Sequence, residues 1–140
     1  MINNIFLDTN IIIYAYKNDN KEKNDIAVNV LQTKTENIRL FISVQSVNEF
    51  ISALIKKNYQ RHTIKEYVNE IINSINIFYF DFDIIDYAID IKFRYNFSYF
   101  DSLLLATAIQ HNCSIFYTED LQHNQIIENK IKIINPFMMS

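Results

Sequence analysis

Five acidic residues stand where strand-like runs give way to helical ones. Asp8 ends the apolar run Ile5-Phe6-Leu7. Glu49 lies in the first half of an apolar-periodic segment that follows Arg39–Ile42, and Asp101 lies in the first turn of another. Glu119 and Asp120 follow directly on Ser114–Tyr117. If those strands are parallel, a ligand site lies at their carboxyl ends, which is where these side chains would converge. No set of cysteines and histidines has zinc spacing. Oxygen-only ligands suit Mg²⁺ or Mn²⁺. Such an ion lowers the pKa of a bound water and neutralises charge on a phosphoryl oxygen. Three or four carboxylates are needed to hold it, and they repel one another without it.

Each acid also has a plainer reading. Ser98-x-x-Asp101 and Ser46-x-x-Glu49 both fit a capping box before an apolar helix. Asp8 fits the N-cap of a helix over Asn10–Tyr16, and Asp120 fits a turn. Caps and turns are common, so no single acid decides the matter. The metal reading rests on the four together.

The elements that must position them alternate. Strands are expected at 3–7, 39–42, 75–80, 114–117 and 130–134. Helices are expected at 11–16, 25–35, 43–57, 63–74, 84–94 and 98–111, from apolar residues at helical spacing such as Val44, Val47, Phe50, Ile51 and Leu54. Lys17 to Asn24 reads as polar and turn-like. Alternation of this kind implies an α/β fold, with a mainly parallel central sheet of four to five strands covered by helices on both faces. Residues 1–140 read as one domain, without linker, repeat or low-complexity segment.

Apolar residues make up 49% and charged residues 21%, ordinary for a globular chain that buries its own core. No apolar run reaches the length of a membrane span, and Met1 to Asp8 carries no basic leader and reads as the opening strand. The lone Cys113 reads as a small structural hydrophobe, and a reducing cytoplasm fits it. Glycine is absent and Pro136 is the only proline, so turns with positive φ must use Asn or Asp. Net charge is −3, which counts mildly against a nucleic-acid substrate. A carboxylate cluster accounts for part of it, and basic residues group at Lys17, Lys21, Lys23 and again at Lys56, Lys57, Arg61, His62.

The strings around the acids carry a resemblance. Phe6-Leu7-Asp8-Thr9-Asn10 resembles the opening motif of PIN domains. Ser43-Val44-Gln45-Ser46-Val47-Asn48-Glu49-Phe50 resembles their second motif, and Tyr99-Phe100-Asp101 with the run Ser102–Ala108 their third. Tyr117-Thr118-Glu119-Asp120-Leu121-Gln122-His123 and the closing Ile134-Asn135-Pro136-Phe137 resemble the fourth motif and tail of one bacterial subgroup. Order, spacing and length agree over essentially the whole chain, and a stand-alone chain of this size is similar to the VapC toxins of toxin–antitoxin pairs. One position departs: Asn124 stands where the subgroup usually has glycine.

The resemblance implies a PIN-like fold and a Mg²⁺- or Mn²⁺-dependent endoribonuclease acting on a structured RNA such as tRNA. It implies Asp8, Glu49, Asp101 and Asp120 as catalytic and metal-holding acids, with Glu119 as competitor for the fourth place. Thr118, Thr9 and Asn10 are supporting residues on the same ground. A VapB-like antitoxin and a homodimer are the implied partners, the latter through the helices 43–57 and 63–74, whose Phe50, Ile51, Tyr59 and Tyr67 exceed what one covered face requires. A catalytically weak PIN-fold module that binds RNA or serves as a scaffold is the alternative. A receiver-like use of Asp8 as phosphate acceptor lacks a second acid two residues on, where Asn10 stands. Tyr99 and Phe100 read as core residues or base-stacking platforms; His111 and His123 read as surface residues.

Overall fold

The computed structural model describes residues 3–33 and 35–138. Six strands form one sheet: β1 (Asn3–Leu7), β2 (Ile38–Ser43), β3 (Asn76–Phe78), β4 (Ile115–Tyr117), β5 (Ile126–Ile127) and β6 (Ile131–Ile134), in the order β3-β2-β1-β4-β6-β5. All neighbours are parallel except β5, which pairs antiparallel with β6. Six helices connect them: α1 (Thr9–Tyr16), α2 (Lys21–Leu31), α3 (Val44–Lys56), α4 (Arg61–Ser74), α5 (Phe82–Tyr95) and α6 (Tyr99–Gln110). The α/β expectation with a mainly parallel sheet therefore holds. The two-residue β5 is additional, too short to leave a periodic signal.

The side chains of β1 and β2 alternate between two cores. Phe6, Phe41, Phe116 and Ile133 pack under α5 and α6, while Ile5, Leu7, Leu40 and Ile42 pack under α1, α3 and α4. Phe6 and Phe116 stack across the β1–β4 pair, with ring centroids 5.4 Å apart. Helix α6 is apolar all round and every residue from Ser102 to Ile109 is buried, as such a helix requires. Each Leu buried there contributes roughly 2 kcal/mol by removal from water. Cys113 lies in this core, and burial pushes its thiol up to about 12, so it is inert at neutral pH.

Helix α2 starts earlier than expected, because the Asn20 side chain accepts a hydrogen bond from the Lys23 N–H at 3.1 Å and caps the polar turn Lys21–Asn24 into the helix. It ends at Leu31; position 34 of the expected helix lies outside the described residues. Asparagine does take the left-handed positions in place of glycine: Asn58, Asn96, Asn112 and Asn124 all have φ between 61° and 71°. Asn58, Asn96 and Asn112 lie just after α3, α5 and α6.

Glu128 also has positive φ, 56°, in the β5–β6 turn. A side chain of this kind costs about 1–2 kcal/mol there. Helix α5 holds it in place: Tyr95 Oη and Tyr87 Oη donate to its carboxylate at 2.9 and 3.2 Å, Arg94 pairs with it, and its own N–H donates to Tyr95 Oη. Glu128→Ala keeps the strain and strips both tyrosines of their acceptor. It should lower the free energy of unfolding by ~2 kcal/mol in urea melts, and Glu128→Gly, which relieves the strain, by less.

The expected dimer face loses its motive in part. Phe50 is fully buried, and Tyr67 packs within the chain against Tyr16 and Tyr59. Among the described residues the exposed large apolar side chains include Ile55 and Ile72 on α3 and α4, and Phe82, Ile89 and Phe93 on α5.

Candidate metal and catalytic site

From β1 the chain runs out to β2 and β3 and then returns to β4 on the other side of β1. The carboxyl ends of β1 and β4 are thus neighbours at a point where strand order reverses, the place where α/β sheets hold ligands. Asp8 follows β1 there, and its N–H donates to the Tyr117 carbonyl at the end of β4 at 2.9 Å. Thr118 and Asp120 follow β4.

Asp8 is 3% exposed. One carboxylate oxygen accepts the Thr9 N–H at 2.7 Å, so Asp8 does cap α1, and the other accepts the Thr118 hydroxyl at 2.8 Å. Burial, together with the carboxylates of Asp101 and Asp120, pushes the Asp8 carboxyl up to about 7 against the two hydrogen bonds. Capping therefore does not account for Asp8. A cap that only served the helix would be stabilised as a charge, whereas this one is held where charge is disfavoured.

The other acids surround it. Glu49 accepts from the Thr9 hydroxyl at 3.2 Å and from Gln45 Nε2 at 3.4 Å; burial and the neighbouring Asp101 raise its pKa. Its expected capping role is not there. The N-cap of α3 is Ser43, which forms a capping box with Ser46, leaving Glu49 one turn further on with a carboxylate that caps no backbone N–H. Asp101 does lie in a capped first turn, but its backbone N–H bonds Ser98 Oγ at 3.1 Å. Burial and Asp120 raise the pKa of its carboxyl.

Of the two adjacent acids after β4, Asp120 joins the group. Asn10 Nδ2 donates to Asp120 Oδ2 at 2.9 Å, to Asp8 Oδ2 at 3.4 Å and to Thr118 Oγ at 3.3 Å, so one amide bridges two carboxylates. Glu119 turns elsewhere: Tyr14 Oη and Lys23 Nζ donate to it at 2.6 and 2.7 Å. This pairing leaves no trace in the sequence, because ion pairs between α2 and a distant loop have no fixed spacing. Tyr99 packs against the α5–α6 core while Phe100, beside Asp101, is exposed. His111 stacks on Phe78 at 4.0 Å and its Nδ1 lies 2.8 Å from the Thr107 carbonyl, a structural place at the end of α6.

A sequence-family comparison matches residues 5–128 to the PIN domain. The chain belongs to the PIN domain family. Solved structures share its fold: a toxin–antitoxin complex from Klebsiella pneumoniae has a TM-score of 0.69 at 19% identity, covering 94% of this chain and 97% of that one. The VapC20 sarcin–ricin loop cleaving toxin of Mycobacterium tuberculosis has 0.68 at 14%, covering 83% and 91%. DNA-bound VapBC from Salmonella typhimurium has 0.66 at 20%, covering 95% and 97%. No curated protein matches the sequence.

In this PIN chain the donor set is oxygen-only and its charges are mutually destabilising, which fits a hard divalent cation. Among the described residues no three His, Cys, Asp or Glu side chains lie close enough to share one ion. What the geometry does show is pairwise: Asp8 feels the charges of Asp101 and Asp120, and Glu49 feels that of Asp101. No helix of the described residues is long and apolar enough to cross a membrane.

Proposed function

We propose that this PIN chain is a Mg²⁺- or Mn²⁺-dependent endoribonuclease and the toxin of a toxin–antitoxin pair, working in the cytoplasm. The observation that carries the proposal is Asp8: an acid at the strand-order reversal whose burial, with the charges of Asp101 and Asp120 added, pushes its pKa up to about 7. That is an arrangement poised for a cation. The family membership and the fold shared with VapBC complexes and a sarcin–ricin loop cleaving toxin support the same reading.

Asp8, Glu49, Asp101 and Asp120 would hold the cation, which when bound supplies a Lewis acid for the phosphoryl oxygen and makes water a nucleophile near neutral pH. The chain's own groups aim these acids. Thr9 donates its N–H to Asp8 and its hydroxyl to Glu49, tying the start of α1 to the second turn of α3. Thr118 fixes the second oxygen of Asp8, and Asn10 keeps Asp120 beside it. Basic residues for the RNA backbone come together in the fold: Lys17 pairs with Asp19 at 3.0 Å, and Lys17 and Lys57 both lower the pKa of Asp19. A structured RNA such as tRNA is the proposed substrate. A VapB-like antitoxin would inhibit by placing an Arg or Lys among the carboxylates, giving them a counter-charge without a nucleophile. A homodimer completes the proposal.

Purified chain should cut RNA in Mg²⁺ or Mn²⁺, stop when EDTA is added, and resume when metal is restored in excess. Cleavage that continues unchanged in EDTA rules the proposal out.

A further inference from the structure

The segment from Glu119 to Gln125 carries Asp120 between β4 and β5 with neither helix nor strand of its own. Two side-chain anchors hold it, one at each end, and both lead to the same tail. At the front, Glu119 takes hydrogen bonds from Tyr14 Oη and Lys23 Nζ. The Lys23 ammonium lies over the Tyr14 ring at 4.9 Å and over the Phe137 ring at 5.4 Å, and Phe137 meets Tyr14 edge-on at 5.2 Å. At the far end, His123 Nδ1 accepts the N–H of Asn135 at 2.9 Å, and Asn135 Oδ1 accepts the N–H of Phe137 at 2.9 Å. The imidazole nitrogen that accepts carries no hydrogen, so the neutral ring has its proton on Nε2.

The loop backbone folds back just beyond the second anchor. Asn124, at φ 71°, turns it, and its N–H donates to the Ile133 carbonyl at 2.7 Å. Asp120 sits inside this closed circuit, its N–H on Thr118 Oγ at 3.1 Å and its carboxylate on Asn10. Neither Glu119 nor His123 bonds to Asp8, Glu49 or Asp101.

We propose that Glu119 and His123 are positioning residues that clamp the loop against the Asn135–Phe137 tail and so aim the Asp120 carboxylate at Asp8. This rests on the functional reading above, in which Asp120 helps to hold the cation. A carboxylate ligand on a loop must be fixed to about half an ångström to serve. Groups that orient a metal ligand without touching the metal typically account for ~10–100-fold in metal affinity or activity.

The test uses the full-length chain, with Mn²⁺ binding followed by calorimetry and RNA cleavage followed by kinetics. His123→Ala should weaken Mn²⁺ binding about tenfold or more and lower kcat more than it raises KM. Asn places an acceptor oxygen near the position of Nδ1, so His123→Asn should recover most of the loss. Glu119→Gln, which keeps the tyrosine bond and weakens the lysine pair, should weaken Mn²⁺ binding several-fold and serves where an alanine variant folds poorly. On an Asp120→Asn background, His123→Ala should change Mn²⁺ affinity no further, because its effect runs through Asp120. Unaltered Mn²⁺ affinity in both His123→Ala and Glu119→Gln, or a full additional loss on the Asp120→Asn background, overturns this inference alone. A wild-type chain that binds no Mn²⁺ and cuts no RNA overturns the functional reading, and this inference with it.

Discussion

Asp8→Asn should abolish RNA cleavage, by at least ~10³-fold in kcat/KM, while leaving the metal-free chain as stable as wild type or more so at neutral pH. The two halves of that result come from the same geometry. Asp8 follows β1, with Asp101 and Asp120 as its charged neighbours. Asn removes its charge but keeps an oxygen for the Thr9 N–H, so the α1 cap survives. The wild-type carboxylate is 3% exposed and faces Asp101 and Asp120, so its charge is a burden on the fold until a cation neutralises it. Activity assays beside urea melts at about pH 8 read both halves. A large loss of stability would mean that the cap, not the cation, is the reason for an acid at position 8.

The metal-free chain should also lose stability as pH rises from about 5 to about 8, and saturating Mg²⁺ should flatten that slope. Between the ordinary 3.8 and about 7, the folded chain keeps a proton on Asp8 that the unfolded chain has released. The stabilising contribution is complete below 3.8 and is lost as pH passes through about 7. The whole of it corresponds to roughly 4 kcal/mol. Glu49 and Asp101, also raised, act in the same direction. Glu128 and Asp19 are lowered and act oppositely, losing their contribution as pH falls, so they govern the acid limb rather than this window. Asp8→Asn should remove most of the slope. Thermal melts across the pH series, with EDTA and with Mg²⁺, read it directly; a metal-free chain whose stability is flat or rises over this window contradicts the strain assigned to Asp8.

Much of this arrangement was legible in the sequence, and the reasons can be given residue by residue. The β1, β2 and β4 strands are buried on both faces, so their apolar runs stand out, and Asp8 and Asp120 follow such runs. Helix α6 announces itself by apolar residues on every side. Asn124 could be expected to replace glycine because few other side chains tolerate positive φ. What the sequence did not carry was long-range polar pairing. Ser43, not Ser46, caps α3, since a cap depends on where the strand stops and two serines three residues apart both offer one. Glu119 and Asp120 are adjacent acids, and the resemblance that favours Asp120 leaves Glu119 as its competitor. Only the placement of Lys23 and Tyr14 on one side, and of Asn10 on the other, tells them apart. Phe50 and Tyr67 count as surplus apolar surface by helical spacing, although they fill the space between α1, α3 and α4, which periodicity alone does not measure.

The most direct test of the central claim is the chemistry of the cut ends. RNA cleaved by the purified chain in Mg²⁺ should carry a 5′-phosphate on the downstream fragment and a 3′-hydroxyl on the upstream one. Water then attacks phosphorus and the 3′-oxygen leaves, as hydrolysis at a carboxylate-held cation requires. A 2′,3′-cyclic phosphate with a 5′-hydroxyl would show that the RNA's own hydroxyl attacked, and would contradict the role assigned to Asp8, Glu49, Asp101 and Asp120.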